Sequence, residues 1–295
     1  MTDNSILTLT AGAMSIELWT TGARLNAATW NGHGNLLDGS RTLDDALGPK
    51  LNHGSVAGPV ANRIAGGTAD IDGLRHNFER NENNKTLLHS GSNSTRDAEW
   101  AVEEQSDTSA TLSLAIARMS DGFPGNRVIN ARYDVFENGF DLTFTASTDR
   151  TTLMNLALHP YWSLGTDRAG LRLKVNSDRY LPVNADTIPI GEIVDVSGTH
   201  FDLRNLDAPS FEIDHNYCLG QDGAMAEIAT LASDKVTLVI ESDAPGLQIF
   251  TGKSFGIAIE PQHWPDAPHH PNFPSIQLDP GQTYSQTSRY RFSAT

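Results

Sequence analysis

At 295 residues the chain is long enough to bury a full core, and its 25 glycines and 14 prolines, with 38% hydrophobic residues, suit many short strands joined by turns. A net charge of −15 and an isoelectric point near 4.9 exclude nucleic acid and anionic membrane surfaces as partners, because both need a basic footprint. The single cysteine, Cys218, excludes an internal disulfide framework and suits a small buried core residue. No run approaches a membrane span, and the opening MTDNSILTLT lacks the basic and apolar stretches of a secretion signal, so a soluble cytoplasmic protein is expected.

Residues 5–34 alternate between short apolar runs and Gly or Asn punctuation, the pattern of strands and hairpins. From Leu47 to Gly67 the pattern loosens into a glycine-rich irregular segment of the kind that lines sites. Asp72-Gly73 marks a hairpin. After Leu87-Leu88-His89 come alternating stretches that predict an antiparallel meander, with a hairpin at Asn138-Gly139. The same style continues through residues 152–165, 171–184, 229–242 and 246–252 to a last alternating strand near the C-terminus. No amphipathic helix longer than about three turns stands out. The expected architecture is all-β: one domain over 1–295, an antiparallel β-sandwich of two large sheets packed face to face.

The stretch 256–275, GIAIEPQHWPDAPHHPNFPS, carries the strongest chemical signal. Ile257-Ala258-Ile259 reads as a buried strand that delivers Glu260 to a loop stiffened by Pro261, Pro265, Pro268, Pro271 and Pro274. Such a carboxylate serves either as a positioned base or as the partner of a structural arginine. His159 lies where an apolar strand meets Pro160, Tyr161 and Trp162, which suits a sugar platform, because pyranose C–H faces pack on aromatic rings; a strand-end cluster closing the core fits equally. Glu260 and His159 together supply a base and an acid whose reference pKa values differ by roughly two units. His89 ends another apolar strand, and Arg63, Asp214 and Gln248 are candidate hydroxyl partners. His263, His269 and His270 form the one histidine cluster, but they offer neither a helical i,i+4 pair nor a ligand spacing, so no metal is expected. The chain has no phosphate loop, no dinucleotide fingerprint and no nucleophile elbow.

The succession GPVANRIAGG (58–67), LLHSG (87–91), NLALHPYWSLG (155–165), RYLPVNADTIPIGEIVDVSGTHFDLR (179–204), DHNYCL (214–219), PGLQIFTG (245–252), EPQHWPDAPHHPNFPS (260–275) and LDPGQTYSQTSRYRF (278–292) resembles the aldose 1-epimerase (galactose mutarotase) family, in order across nearly the whole chain. The resemblance implies a large antiparallel β-sandwich that interconverts the α and β anomers of a free monosaccharide without metal or organic cofactor, as monomer or homodimer. It implies that Glu260 is the base taking the anomeric proton, that His159 is the acid protonating the ring oxygen, and that His89 contacts the sugar beside them. Arg63 with its neighbour Asn62, Asp214, Gln248 and the aromatic Trp162 are the expected substrate-binding residues.

Three neighbourhoods depart from the family's common pattern: Gly58-Pro59 replaces Gly-Arg, His89-Ser90-Gly91 replaces His-Gly-Gly, and Leu158-His159-Pro160-Tyr161-Trp162 replaces Asn-His-Ser-Tyr-Phe. The residue types expected to do chemistry are kept while their neighbours change, which bears on sugar preference more than on reaction type. Two competing readings are a phosphosugar 1-epimerase, which requires cations converging on a phosphate, and a non-catalytic carbohydrate-binding sandwich, which does not require an acid and base pair. A glycosidase requires two flanking carboxylates, and only Asp266 lies near Glu260 in the sequence.

Overall fold

Two ten-residue strands, Arg127–Phe136 and Gly139–Thr148, bury every second side chain over most of their length and pair residue for residue from Arg127 with Thr148 to Phe136 with Gly139. This period-two burial is what a sheet with one face on a core requires. In the computed structural model, which describes residues 5–209, 212–220, 222–252 and 256–295, these strands lie inside an eight-stranded sheet. The first four residues of the MTDNSILTLT stretch lie outside the described residues. The sheet runs in the order 172–175, 226–232, 236–242, 284–294, 139–148, 127–136, 109–116 and 101–105, antiparallel throughout.

A six-stranded sheet faces it, in the order Tyr161–Trp162, Ile257–Gln262, Gly246–Phe250, Asp214–Cys218, Arg179–Tyr180 and Val194–Asp195. Between the sheets lies the main apolar cluster. Leu142, Phe144, Tyr290 and Phe292 from the large sheet meet Trp162, Tyr217, Leu247, Ile257 and Ile259 from the smaller one. Each such side chain contributes about 1.5–3 kcal/mol on burial. A three-stranded N-terminal sheet, Ile6–Ala11, Met14–Trp19 and Arg24–Trp30, adds Leu9, Ile16 and Leu25 to the same cluster. Among the described residues the α-helical segment is Leu43–Leu47, capped by the Thr42 hydroxyl accepting from the Asp45 amide, and no helix is long and apolar enough to cross a membrane.

The turn chemistry follows the sequence with one adjustment. Asp72 and Gly73 both take left-handed φ, 51° and 72°, between Thr68–Ile71 and Leu74–Asn77. The hairpin expected at Asn138-Gly139 turns on Glu137 and Asn138 instead, and Gly139 opens the following strand opposite Phe136.

The expectation that the buried strand ends at Glu260 is also corrected. The strand runs from Ile257 to Gln262, so Glu260 is internal to it and lies opposite Gln248. Pro261 is tolerated because the flanking strand Tyr161–Trp162 pairs only with Ile257 and Ala258, leaving that edge of the strand without a ladder partner beyond. Ile257 and Ile259 join the core, so Ala258, Glu260 and Gln262 point to the other face, which is also buried.

Candidate active site

Side-chain alternation on the six-stranded sheet builds the floor of a pocket. Asn216, Gln248 and Glu260 are register partners across three neighbouring strands, and Asp214, two residues before Asn216, shares their face. Two short pairings bring in the rest. Leu87–Leu88 pairs with Arg63–Ile64 and sets His89 beside Asn62; Ala157–Leu158 pairs with Val56–Ala57 and ends at His159, whose amide donates to the Ser55 carbonyl at 3.0 Å. The result is a pocket of about 140 Å³ lined by Asn62, Arg63, His89, His159, Asp214, Gln248 and Glu260, together with Asn52, Leu88, Tyr161 and Phe250.

His89 and Asn62 lock one another. The His89 amide donates to the Asn62 carbonyl at 2.9 Å and the Asn62 amide donates to His89 Nδ1 at 3.1 Å, while both residues sit in the left-handed region at φ 48° and 60°. Non-glycine residues held there carry backbone strain that surrounding bonds must sustain. Because Nδ1 accepts, the neutral ring carries its proton on Nε2, a donor available to the pocket. The His89 and His159 rings meet edge to face at 5.4 Å, and His159 stacks on Tyr161 at 5.1 Å.

Glu260 is 1% exposed and His159 4%. The Glu260 Oε1 lies 3.4 Å from His159 Nε2, while Glu260 Oε2 and His159 Nδ1 are buried without a partner among the described residues. Burial, reinforced by the Asp214 charge, pushes the Glu260 carboxyl well above the ordinary carboxylate range against the pull of Arg63. Burial, reinforced by His53, pushes His159 down to about 3. His89 is driven well below its ordinary value by burial, then by Arg96, His159 and Arg63. Burial therefore reverses the order of the two groups, so that a proton shared by the pair prefers Glu260 over His159, the opposite of the ionised Glu260 and protonated His159 that their reference pKa values suggest. The Glu260 and His159 pair nevertheless carries one proton in either placement.

Arg63 uses three of its five N–H donors on two carboxylates. It forks onto Glu82 at 2.8 and 2.9 Å and reaches Asp214 Oδ2 at 3.4 Å, while Asp214 Oδ1 accepts from Gln248 Nε2 at 2.6 Å. Burial works against its charge, but Glu82 and Asp214 more than offset this and raise its pKa. The Arg63, Asp214 and Gln248 chain thus presents fixed donors and acceptors beside the Glu260 and His159 pair, which is what orienting a polyhydroxylated ring requires.

Trp162 is not in the pocket. It is 0% exposed and packs against Tyr290 and Phe292 between the sheets, and its neighbour Tyr161 takes the pocket wall. Strand parity was the available signal, since Tyr161 lies two residues from His159 and Trp162 one residue out of phase. Asn52 and Phe250 were also missed; Phe250 shares the parity of Gln248, whereas Asn52 sits in an irregular segment that gave no periodicity. Cys218 is half-buried at the edge of a smaller apolar cluster, and burial raises its thiol to about 12.

Among the described residues no three histidine, cysteine or carboxylate side chains are arranged to hold a metal ion. Asp266 Oδ1 instead binds His269 Nδ1 at 2.6 Å and the Ala65 amide at 2.8 Å, and the Asp266 amide donates to the Arg63 carbonyl at 3.0 Å, which ties the proline-rich loop to the strand carrying Arg63. His263 lies apart, its ring 6.0 Å from that of Tyr284.

Comparison with known proteins gives a consistent result. The profile of the aldose 1-epimerase family matches residues 5–291. The chain is 30% identical to the galactose mutarotase of Rattus norvegicus over 286 residues, covering 86% of this chain and 83% of the relative, and 27% identical to the aldose 1-epimerase of Escherichia coli (strain K12), covering 82% and 80%. An aldose epimerase homologue from C. elegans superposes with a TM-score of 0.92 at 24% identity over 99% of both chains, and the galactose 1-epimerase of Lactobacillus acidophilus NCFM with 0.87 at 23% identity over 99% and 95%. At these identities the superpositions establish the antiparallel sandwich fold.

Proposed function

The chain belongs to the aldose 1-epimerase family, and from that membership together with the pocket we propose how it works and on what. The protein is a carbohydrate isomerase that interconverts the α and β anomers of an aldose. Our assignment of roles makes Glu260 the group that takes the anomeric O1 proton and His159 the group that gives a proton to the ring oxygen O5. The C1–O5 bond breaks as the C1 carbonyl forms, the aldehyde turns about C1–C2, and reclosure on its other face with the transfers reversed yields the second anomer. The pair begins and ends with one proton, so the cycle balances without a co-reactant.

Burial leaves that proton on Glu260 in the free pocket. A sugar whose anomeric hydroxyl donates to the carboxylate favours its ionised form, and the 3.4 Å approach of His159 Nε2 gives the proton its alternative position. His89 donates from Nε2 to the oxygen where negative charge develops, and Arg63, Asn62, Asp214 and Gln248 fix the remaining hydroxyls. The observation that carries this reading is a buried carboxyl touching a buried imidazole, each with one atom unpartnered, on the wall of a pocket the size of a small polar molecule.

The substrate is a free aldohexose, with galactose first in line from the relatives' names. A phosphosugar has less support, because among the described residues Arg63 is the arginine or lysine that lines the pocket, and its charge is balanced by Glu82 and Asp214 even though N–H donors remain for neutral hydroxyls. We assign the whole chain to one domain, supported by an apolar cluster that runs from Leu7 to Phe292. Polarimetry of freshly dissolved α-anomers, neutral and phosphorylated, after exhaustive treatment with a strong chelator tests the assignment. Accelerated exchange of a neutral aldohexose is expected. Acceleration confined to phosphorylated sugars, or lost on chelation and restored by a divalent ion, contradicts it.

A further inference from the structure

Behind the two site histidines lies a guanidinium that the mechanism does not use. Arg96 is 5% exposed, and among the described residues no carboxylate oxygen comes within 4 Å of its nitrogens. Its Nη1 donates to Asn52 Oδ1 at 2.7 Å, Nη2 to the Gly91 carbonyl at 3.0 Å and Nε to Ser94 Oγ at 3.1 Å. Those partners belong to two separate segments beside the pocket. Asn52 lines it directly, and Gly91 ends the run His89, Ser90, Gly91, three consecutive residues at φ 48°, 63° and 79°. Among the described residues its hydrogen-bond acceptors are all neutral, and burial lowers its pKa to about 10 against the nearby charges of Asp97 and Glu79, so the cation is costly to maintain; a planar fork joins two separate backbones in a way a single donor cannot.

The Asn52 wall is independently pinned from its far side. Arg24, also buried, donates to the carbonyls of Ala46 and Leu51 at 3.1 Å each, to Lys50 at 3.0 Å and to His53. Arg24 therefore fixes the path of residues 46–53, and Arg96 fixes where the Asn52 side chain stands relative to His89.

We propose that Arg96 is a positioning residue of the sugar pocket: it clamps the Asn52 wall to the turn that carries His89 and sets a fixed positive charge behind His89 and His159. The inference rests on the anomer-exchange reading given above. The charge acts in one direction. The groups facing the two imidazoles are each other, Arg63, Glu260 and Asp214 on the pocket side, His53 across Tyr161, and Arg96 behind. Arg96 opposes protonation of both rings, after burial in each case, and so any imidazolium formed during proton transfer is a stronger acid toward the ring oxygen.

Three variants separate clamp from charge: Arg96→Gln removes the charge and keeps a donor, Arg96→Lys keeps the charge and loses the fork, and Asn52→Ala cuts one arm while leaving Arg96 in place. For each, the pH profile of catalysed kcat/KM is measured alongside NMR titration of His89 and His159. Arg96→Gln is expected to move the acid limb and the histidine titrations upward by about one pH unit, as for loss of a nearby like charge. Arg96→Lys and Asn52→Ala are expected to leave both in place while kcat/KM falls roughly 10- to 100-fold from misplacement. Unmoved titrations in Arg96→Gln, unchanged kinetics in the other two, or a chain that folds with Lys but with no neutral residue at position 96 would each overturn the proposal, the last by assigning Arg96 to folding. If the wild-type protein exchanges no anomers, the reaction assignment fails, while the histidine titrations still decide the role of Arg96.

Discussion

Two buried carboxylates in this molecule have opposite fates. The Asp121 and Arg127 side chains are each 0% exposed and grip one another through two bonds, 2.8 and 3.0 Å, with Arg127 further tied to the Gly125 carbonyl at 3.1 Å and set over the Phe123 ring. Glu260 is as deeply buried, yet among the described residues no lysine or arginine nitrogen lies within 4 Å of it, and one of its oxygens has no partner. A bidentate arginine neutralises a carboxylate and stops it from doing chemistry. A carboxyl buried without a cation keeps its proton and stays reactive. Burial alone thus does not distinguish the two carboxylates; the arginine fork on Asp121, absent at Glu260 among the described residues, does.

The contrast breaks most sharply at Glu260. Glu260→Gln keeps shape and removes the transferable proton, so the catalysed rate is expected to fall by roughly 10²- to 10⁴-fold. Stability should move the other way. A carboxyl whose folded pKa is raised stabilises the protein fully below its unfolded value, and that contribution is lost as pH rises through the folded value, so the amide is favoured at neutral pH and above. Polarimetry with thermal unfolding at two pH values checks both; a normal rate in folded Glu260→Gln would falsify the assignment.

Asp121→Asn gives the reverse signature. It leaves a buried guanidinium without its counter-charge and should cost about 3–5 kcal/mol of stability. At temperatures where the variant remains folded, kcat should match the wild type. Urea titration together with polarimetry measures the split, and a variant that loses activity while remaining stable would erase the distinction between the two carboxylates.

A smaller effect separates the adjacent aromatics. Tyr161→Leu removes the ring stacked on His159 and should raise KM by about 3- to 10-fold, in line with about 0.5–1.5 kcal/mol for an aromatic contact. Trp162→Phe should cost about 1–3 kcal/mol of stability with little change in KM, because the indole packs between the sheets. Similar KM increases in both would return Trp162 to the pocket.

The sandwich was legible because its strands alternate cleanly. The 127–136 and 139–148 pair and the final strand announce one buried face residue by residue, and glycine marks the turns. The candidates Glu260, His159, His89, Arg63, Asp214 and Gln248 were visible from strand ends and polar positions and, with Asn62, gained roles only through family resemblance; the structure brings all seven to one pocket. Parity could have separated Tyr161 from Trp162, but a run as short as Tyr161–Trp162 gives alternation nothing to lock onto. The bond from Arg96 to Asn52 was not legible at all. It joins residues 44 apart in irregular segments, where position is set by side-chain bonds that carry no period. The placement of the shared proton was hidden for a different reason: reference pKa values order Glu below His, and only full burial of both reverses them.

That reversal is tested most directly by the pH dependence of wild-type kcat/KM, corrected at each pH for uncatalysed mutarotation and for any unfolded fraction. The active form carries one proton on the Glu260 and His159 pair, so activity falls on the acid side when His159 gains a second proton and on the alkaline side when Glu260 loses the one it holds. With His159 pushed down to about 3 and Glu260 pushed up, the expected profile is a broad bell that stays near its plateau as pH drops through the ordinary imidazole range. An acid limb centred near the ordinary value of 6.5 would mean that His159 is not held neutral by burial, and would contradict the account.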